Sequence, residues 1–284
     1  MRIAPIDRNT EWSRYYTDTR LHGLEILHAR FITHRYPRHS HDYFVIALVE
    51  TGAASYWYRG AQRVATSGQV IVVNPDEPHT GEPATTGGYV YRVLYPRVEH
   101  LVQVAADLGA PPTVPFFKSS VLCDEPLALA LSAFHRSLVA KAQSAKCERL
   151  LLRALARLLI HHTDPQVTPR TIGSERPAVR TACEYIQTHF AKDVSLSKLA
   201  SVVSLSPYYF ARAFERETGL PPHGYLENVR VRKAREFLDQ GHTVVSAALL
   251  AGYVDQSHLT HRFKRFLGIT PGQYVRNSKI QQDR

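Results

Sequence analysis

Cysteine is scarce: the chain has three in 284 residues, Cys123, Cys147 and Cys183, odd in number and scattered. That count excludes a disulfide-stapled scaffold, and no pair has the spacing of a metal or redox motif. Structural thiols in a reducing cytoplasm are the expectation. Long apolar runs are also missing. None approaches the ~18 residues of a membrane span, and residues 1–16 hold charged groups and Pro5 but no apolar signal core. Negative charge is in short supply, with 25 Asp+Glu against 35 Lys+Arg and a formal net charge of +10. Most of the excess lies late: from Arg176 onward there are 16 Lys+Arg and 9 Asp+Glu. A basic C-terminal part suggests attraction to a phosphate backbone, although many basic proteins bind no nucleic acid. A composition of 44% hydrophobic and 21% charged residues is that of an ordinary globular protein, and the length leaves room for two domains.

The first ~95 residues have the alternation and turn chemistry of β-structure. Residues 43–49 and 69–73 are apolar runs, the second opened by Ser67-Gly68 and stopped by Asn74-Pro75. Residues 55–58 lead into Arg59-Gly60-Ala61-Gln62, a hairpin turn with Gly60 at the position that needs positive φ. Residues 89–95 alternate and end at Pro96. Short strands at close spacing predict a barrel or sandwich. Residues 127–139 and 147–162 then read as helices. In the second, Leu151, Leu155, Leu158 and His162 share a face, and Leu150, Leu152 and Leu159 widen it. Two readings stand equally: a helix packed on the barrel, or a dimerisation helix whose broad stripe needs a second partner. Residues 163–177, with three prolines, Gly173 and Ser174, read as a linker.

A pattern occurs twice beyond that linker. Phe210, Phe214, Gly219, Pro222 and Tyr225 are matched by Leu259, Phe263, Gly268, Pro271 and Tyr274, each 49 residues later. Each copy is a helix with an inward pair at i and i+4 that ends in glycine and is followed by proline, a tandem structural unit. Ser195 is expected to cap a helix over 196–202, and Ser206 a third helix with Pro207 in its first turn. Gly219 ends that helix in the left-handed conformation. In the second unit Thr243 caps 244–251, Gly252 makes the turn and Asp255 caps 256–267. Between the units, residues 225–240 form a helix with Val231, Ala234 and Leu238 on its buried face. It is long enough to hold the two reading helices about one DNA turn, ~34 Å, apart.

Residues 178–276 resemble the DNA-binding domain of the AraC/XylS family of bacterial transcription regulators. The landmarks are residues 195–200, 206–210, Phe214, Thr218-Gly219, residues 230–234, Ala248, Gly252-Tyr253, residues 255–259, residues 263–266, Gly268 and Pro271, in order and at the right spacing. The resemblance implies DNA contacts from Tyr208, Ala211, Arg212 and Arg216 in the first unit. In the second it implies Gln256, Ser257, His258, Thr260, His261, Lys264 and Arg265. Ala211 has only a methyl to offer, and His261 stands where relatives often carry arginine. Arg212 is the leading base reader, since a guanidinium can grip guanine O6 and N7 together; Lys264 and Arg265 suit phosphate.

The N-terminal part resembles the small cupin barrel with which such regulators sense ligands, on Arg38-His39-Ser40-His41-Asp42 and the stretch 68–81 ending Pro78-His79-Thr80-Gly81. Expected effector-binding residues are Arg38, His39, His41, Tyr56, Tyr58, His79 and Tyr91, with a sugar, an amino acid or a small organic acid as ligand. A His-x-His pair puts two imidazoles on one side of a strand, where they suit a transition metal. Metal cupins, however, carry a glutamate soon after the pair, and 42–48 has none. Metal binding, hydrogen bonding to an organic effector and bracing of the barrel mouth all remain open, and no metal or cofactor is the primary expectation.

The expected fold is α+β with two domains. A cupin-like β-barrel with following helices (1–162) senses and dimerises, 163–177 is a linker, and 178–284 is all-α with two helix-turn-helix units joined by a linker helix. The resemblance implies a cytoplasmic, non-enzymatic regulator, activator before repressor. Its expected partners are double-stranded DNA, a small-molecule effector, a second copy of the chain and RNA polymerase, with no membrane. The competing readings are a metal-dependent cupin enzyme fused to a DNA-binding domain, and an architectural DNA binder whose barrel only dimerises.

Overall fold

The computed structural model describes residues 10–109, 113–140, 144–163 and 177–279; the linker at 163–177 therefore falls, Thr163 and Pro177 apart, outside the described residues. Two compact units emerge. One contains the described residues up to Arg35, then Asp42–Pro75, then Gly81 through Thr163; the other contains Tyr36–His41, Asp76–Thr80 and the chain from Pro177.

The strands are β1 (Trp12–Asp18), β2 (Leu24–Phe31), β3 (Tyr36–His39), β4 (Val45–Tyr58), β5 (Ala61–Thr66), β6 (Val70–Val73), β7 (His79–Pro83), β8 (Tyr89–Tyr95) and β9 (Val121–Leu122). They form a nine-stranded sheet in the order β1-β2-β8-β4-β6-β9, with β5 and β7 also on β4 and β3 on β7. The apolar run at 43–49 and the hairpin strand at 55–58 belong to one 14-residue strand, β4. Its first half pairs with β6 and β8, Ile46 opposite both Val72 and Leu94. Its second half pairs with β5, Tyr58 opposite Ala61. The register slips between Val49 and Thr51. Just beyond, Gly52 has φ +75, and a Cβ there would lie 2.1 Å from the carbonyl oxygen of Gly88. Only glycine lets the two backbones meet so closely.

Alternate residues of these strands point to opposite faces. Ile26, Ile46, Leu48, Val70, Val72 and Leu94 share a core with Leu101, Val104, Leu127, Leu131, Phe134, Leu151, Leu155 and Leu158. These come from α1 (Val98–Asp107), α2 (Glu125–Val139) and α3 (Ser144–His162). Leu27, Ala29, Ala47, Val49, Val73 and Val93, of opposite parity, are buried as well. Burial on both faces explains why the strands read as continuous apolar runs rather than clean alternation.

The leucine stripe of α3 goes to the core of its own unit. Leu151, Leu155, Leu158 and Leu159 are all at most 8% exposed, while Leu152 and Ile160 are 47% and 64% exposed. Asp124 joins the two helices. Its Oδ1 accepts the Leu127 amide that opens α2, and its carboxylate accepts Arg157 Nε and His162 Nε2 at 2.8 Å from the end of α3. Burial raises its pKa, but the Arg157, His162 and Leu127 hydrogen bonds outweigh it and hold the carboxyl at about 2.

The second unit is helical from Pro177: α4 (Pro177–His189), α5 (Leu196–Val202), α6 (Pro207–Thr218), α7 (Pro222–Asp239), α8 (Val244–Leu250), α9 (Gln256–Leu267) and α10 (Pro271–Lys279). Val179, Ala182, Ile186, Leu199, Phe210, Phe214, Leu226 and Val229 form the core of its first half. In the second half Ala247, Ala248, Leu259, Phe263, Phe266 and Tyr274 are buried. Among the described residues no helix is long and apolar enough to cross a membrane.

Candidate functional site

Both reading helices are delimited by the same local chemistry. Ser206 Oγ accepts the Tyr209 amide at the start of α6, and Asp255 Oδ1 accepts the His258 amide at the start of α9. Each supplies an acceptor to an amide that has no partner within its helix. Gly219 (φ 72) and Gly268 (φ 73) end the two helices in the left-handed conformation, their N–H groups donating to Glu215 O and Lys264 O, both at 2.8 Å. The repeat extends to the rings: Phe214 meets Tyr225 edge-on at 5.5 Å, and Phe263 meets Tyr274 edge-on at 5.6 Å. Ser195 and Thr243 cap α5 and α8 in the same manner, through the Lys198 and Ser246 amides.

With the aromatic faces inward, the opposite faces are left to solvent. Arg212 and Arg216 on α6, and Gln256, Ser257, His261, Lys264 and Arg265 on α9, are exposed; Ala211, His258 and Thr260 are half-buried. Tyr208 starts α6, but its side chain lies outside the described residues. Arg216 is paired with Glu217 at 3.4 Å on the surface. His258 is engaged within the fold, with Arg262 Nε 3.5 Å from its Nε2 and the ring of Tyr253 edge-on at 5.2 Å.

Beneath these faces lies a charged tie that the sequence reading passed over. Glu227 is only 5% exposed on α7, with Arg262 of α9 at 3.1 Å and Arg230 at 3.9 Å. Arg230 in turn donates to the backbone carbonyls of Phe190 and Lys192. A buried carboxylate needs such partners, since desolvation without them is costly. The tie fixes the linker helix to α9 on one side and to the end of α4 on the other. Its signal was a glutamate between Leu226 and Val229 on an apolar face.

The sensor residues fall into separate groups. His39 ends β3, His41 follows two residues later and His79 opens β7; all three are buried, at 8%, 7% and 7% exposure. Their rings cluster, with centroids 4.4 Å apart for His39–His79, 4.8 Å for His41–His79 and 5.8 Å for His39–His41. His39 Nδ1 donates to Pro37 O at 2.8 Å and His79 Nδ1 to Glu77 O at 2.9 Å. Burial lowers the pKa of His39 against the pull of the Pro37 and His79 backbone; burial and then the neighbouring His39 and His41 take His79 well below its ordinary value. Arg38 is exposed.

The three tyrosines are buried and packed or hydrogen-bonded within the fold. Tyr56 and Tyr58 are 3% and 1% exposed while Trp57 between them is 39% exposed, as alternation on one strand requires. Tyr56 OH donates to Ser120 O at 2.8 Å, and Tyr58 OH accepts from Asn74 Nδ2 at 3.1 Å. Burial pushes the Tyr56 hydroxyl up to about 12. Tyr91 packs on Tyr89 at 4.9 Å and Phe31 at 5.8 Å. Glu50, the first glutamate after the histidine pair, is committed to His28 (2.8 Å) and Arg92 (2.6 Å).

Known proteins share this arrangement. Residues 21–160 match the AraC-like ligand binding domain, and residues 199–277 match a helix-turn-helix domain. The chain is 28% identical over 242 residues to the uncharacterized HTH-type transcriptional regulator YbfI of Bacillus subtilis, covering 85% of this chain and 87% of that one. It is 27% identical over 249 residues to the HTH-type transcriptional activator RhaS of Pectobacterium atrosepticum, covering 83% and 86%. The crystal structure of unsaturated fatty acid bound ToxT from Vibrio cholerae has the same fold, with a TM-score of 0.51 at 10% identity over 93% of each chain. With its ligand-binding domain followed by two capped, glycine-terminated reading helices, the chain belongs to the AraC family of transcription regulators.

Proposed function

We propose that the chain activates transcription in the cytoplasm by setting α6 and α9 into two successive major grooves of its operator, under control of a ligand held by its N-terminal domain. The observation that carries this reading is the duplicated reading helix, capped, terminated and braced by equivalent residues on either side of α7. At 18 residues α7 spans ~27 Å, which suits helices docked about one turn of DNA apart. Exposed Gln256, Ser257 and Arg212 offer hydrogen-bonding groups to base edges, and Lys264 and Arg265 offer charge to phosphates. The activator RhaS among the relatives supports activation; an activator of this kind would have RNA polymerase as its protein partner. The relatives are regulators, which supports a sensing rather than an enzymatic first domain. Selection of genomic fragments by the purified full-length chain, followed by footprinting, tests the reading. Two short protected motifs one helical turn apart are expected; binding without sequence preference, lost simply as salt rises, would overturn it.

Dimerisation belongs to the same proposal, but its surface differs from the one the stripe suggested. Leu151 and Leu155 are core, so charging them would unfold the domain rather than separate protomers. Leu152 and Ile160, with half-buried Ala156 between them at i+4, form the outward stripe of α3. Replacing both Leu152 and Ile160 by glutamate is expected to halve the mass in solution while leaving the circular dichroism unchanged. An unaltered mass assigns the contact to another surface.

A further inference from the structure

We propose that His39, His41 and His79 form a binding site for a divalent first-row transition metal ion, zinc being the best fit, with a coordination position left open. The three residues come from two segments, and one ring nitrogen from each lies within 4.8 Å of the other two. Two details go beyond proximity. A backbone carbonyl can only accept, so the contacts of His39 Nδ1 with Pro37 O and of His79 Nδ1 with Glu77 O place the ring proton on Nδ1. Nε2 of His79, whose one backbone partner is Glu77, then carries the lone pair. This is the outer arrangement that orients metal-ligating histidines, built twice here from a residue and the carbonyl two positions before it. All three rings are also buried, so an ion held between them would be largely shielded from bulk water.

The donor set decides the metal. Three imidazoles without thiolate or carboxylate suit zinc, nickel, copper or iron rather than magnesium or calcium. The glutamate that would complete a four-ligand set is absent from 42–48, and Glu50 is held by His28 and Arg92. Zinc tolerates that loss, because three histidines with a fourth position open is one of its usual arrangements. With bonds of about 2.0–2.1 Å the nitrogens must draw in to roughly 3.3–3.5 Å of one another, a movement of side chains rather than of strands. Three neutral ligands leave the ion its full double charge, so the open position would favour an anionic or carboxylate-bearing effector. That last step rests on reading the N-terminal domain as a ligand sensor; the metal site itself does not.

The test uses the full-length chain without a polyhistidine tag, stripped by chelator and titrated with cobalt(II). One equivalent should bind, give the intense visible absorption of a tetrahedral ion, and be displaced by zinc. His41→Gln and His79→Gln should each weaken binding by at least about 100-fold, since loss of an outer partner alone costs 10- to 100-fold. Their circular dichroism and metal-free DNA affinity should match wild type. No saturable binding, or binding that survives both substitutions, overturns the proposal. Should the variants fail to fold, X-ray absorption of the wild-type zinc adduct decides: imidazole scattering from three nitrogens supports the site, and a sulfur or all-oxygen shell removes it. The regulator reading fails independently, through fragment selection without sequence preference. A protein that selects operators but binds no cobalt loses only the metal.

Discussion

Gly252→Ala is expected to destabilise the DNA-binding unit by about 3 kcal/mol or more. Gly252 makes the turn between α8 and α9 at φ +83, a conformation that L-residues rarely adopt. A Cβ there would also stand 2.7 Å from Ala191 Cα and 2.8 Å from Ala191 O. The obstacle is backbone, so no side-chain rotation relieves it. Ala191 follows α4, which belongs to the first helix-turn-helix core, whereas Gly252 aims the recognition helix of the second. The substitution must therefore either strain the turn or push α9 away from the half of the unit that carries α6. For a domain of about 100 residues each kcal/mol lowers Tm by roughly 4–8 °C, so a drop above ~10 °C is expected by calorimetry. Paired footprints should weaken with it. Gly272→Ala is the control, because nothing lies within 4 Å of its Cβ and alanine is the better helix former. Equal melting temperatures for Gly252→Ala and wild type would show that the turn yields, and that the close approach does not aim the helix.

The helical unit was legible because its boundaries are written locally. Ser206 with Pro207, Asp255, Thr243, Gly219 and Gly268 each act within a few residues of the bond they make or prevent. Even the misplaced boundary of α7, which opens at Pro222 rather than Tyr225, follows from a proline serving both as a break after α6 and as a first-turn residue. The β-rich unit was less legible because its decisions are long-range. Gly52 looks like a strand break in the sequence, yet it lets β4 run on past Gly88. Helix α1 was missed altogether: it follows Arg97, whose cap partner is the side chain of His100 rather than a residue of the usual capping type. The α3 stripe showed that the helix was apolar but not which partner covers it. Burial on α2 and the sheet uses Leu151, Leu155 and Leu158 and leaves Leu152 and Ile160 outside. The histidine cluster was legible as a pair plus a distant third; its closeness depends on β3 pairing with β7, which the sequence does not write.

Arg212→Ala should cost 1–3 kcal/mol, about 5- to 150-fold in affinity, at one base pair of one half-site, and little elsewhere. Arg212 is exposed on α6, on the face turned away from buried Phe210 and Phe214. The helix stops at Gly219, so only its first two turns can enter a groove deeply, and among the charged side chains of those turns Arg212 is the cation. Lys264 and Arg265 sit in the last turn of α9, and phosphate contacts rather than base contacts are expected of them. The two classes separate in measurement. Removal of a base reader relaxes sequence preference at one position and leaves the salt slope nearly unchanged. Removal of a phosphate contact weakens all sequences alike and lowers the slope by about one. Affinities for a set of single-base operator variants, at two salt concentrations, should therefore place Arg212→Ala in the first class and Lys264→Ala in the second. If Arg212→Ala instead weakens every sequence uniformly, α6 serves as an anchor. Specificity would then fall to α9, where Gln256, Ser257 and His261 have exposed hydrogen-bonding side chains.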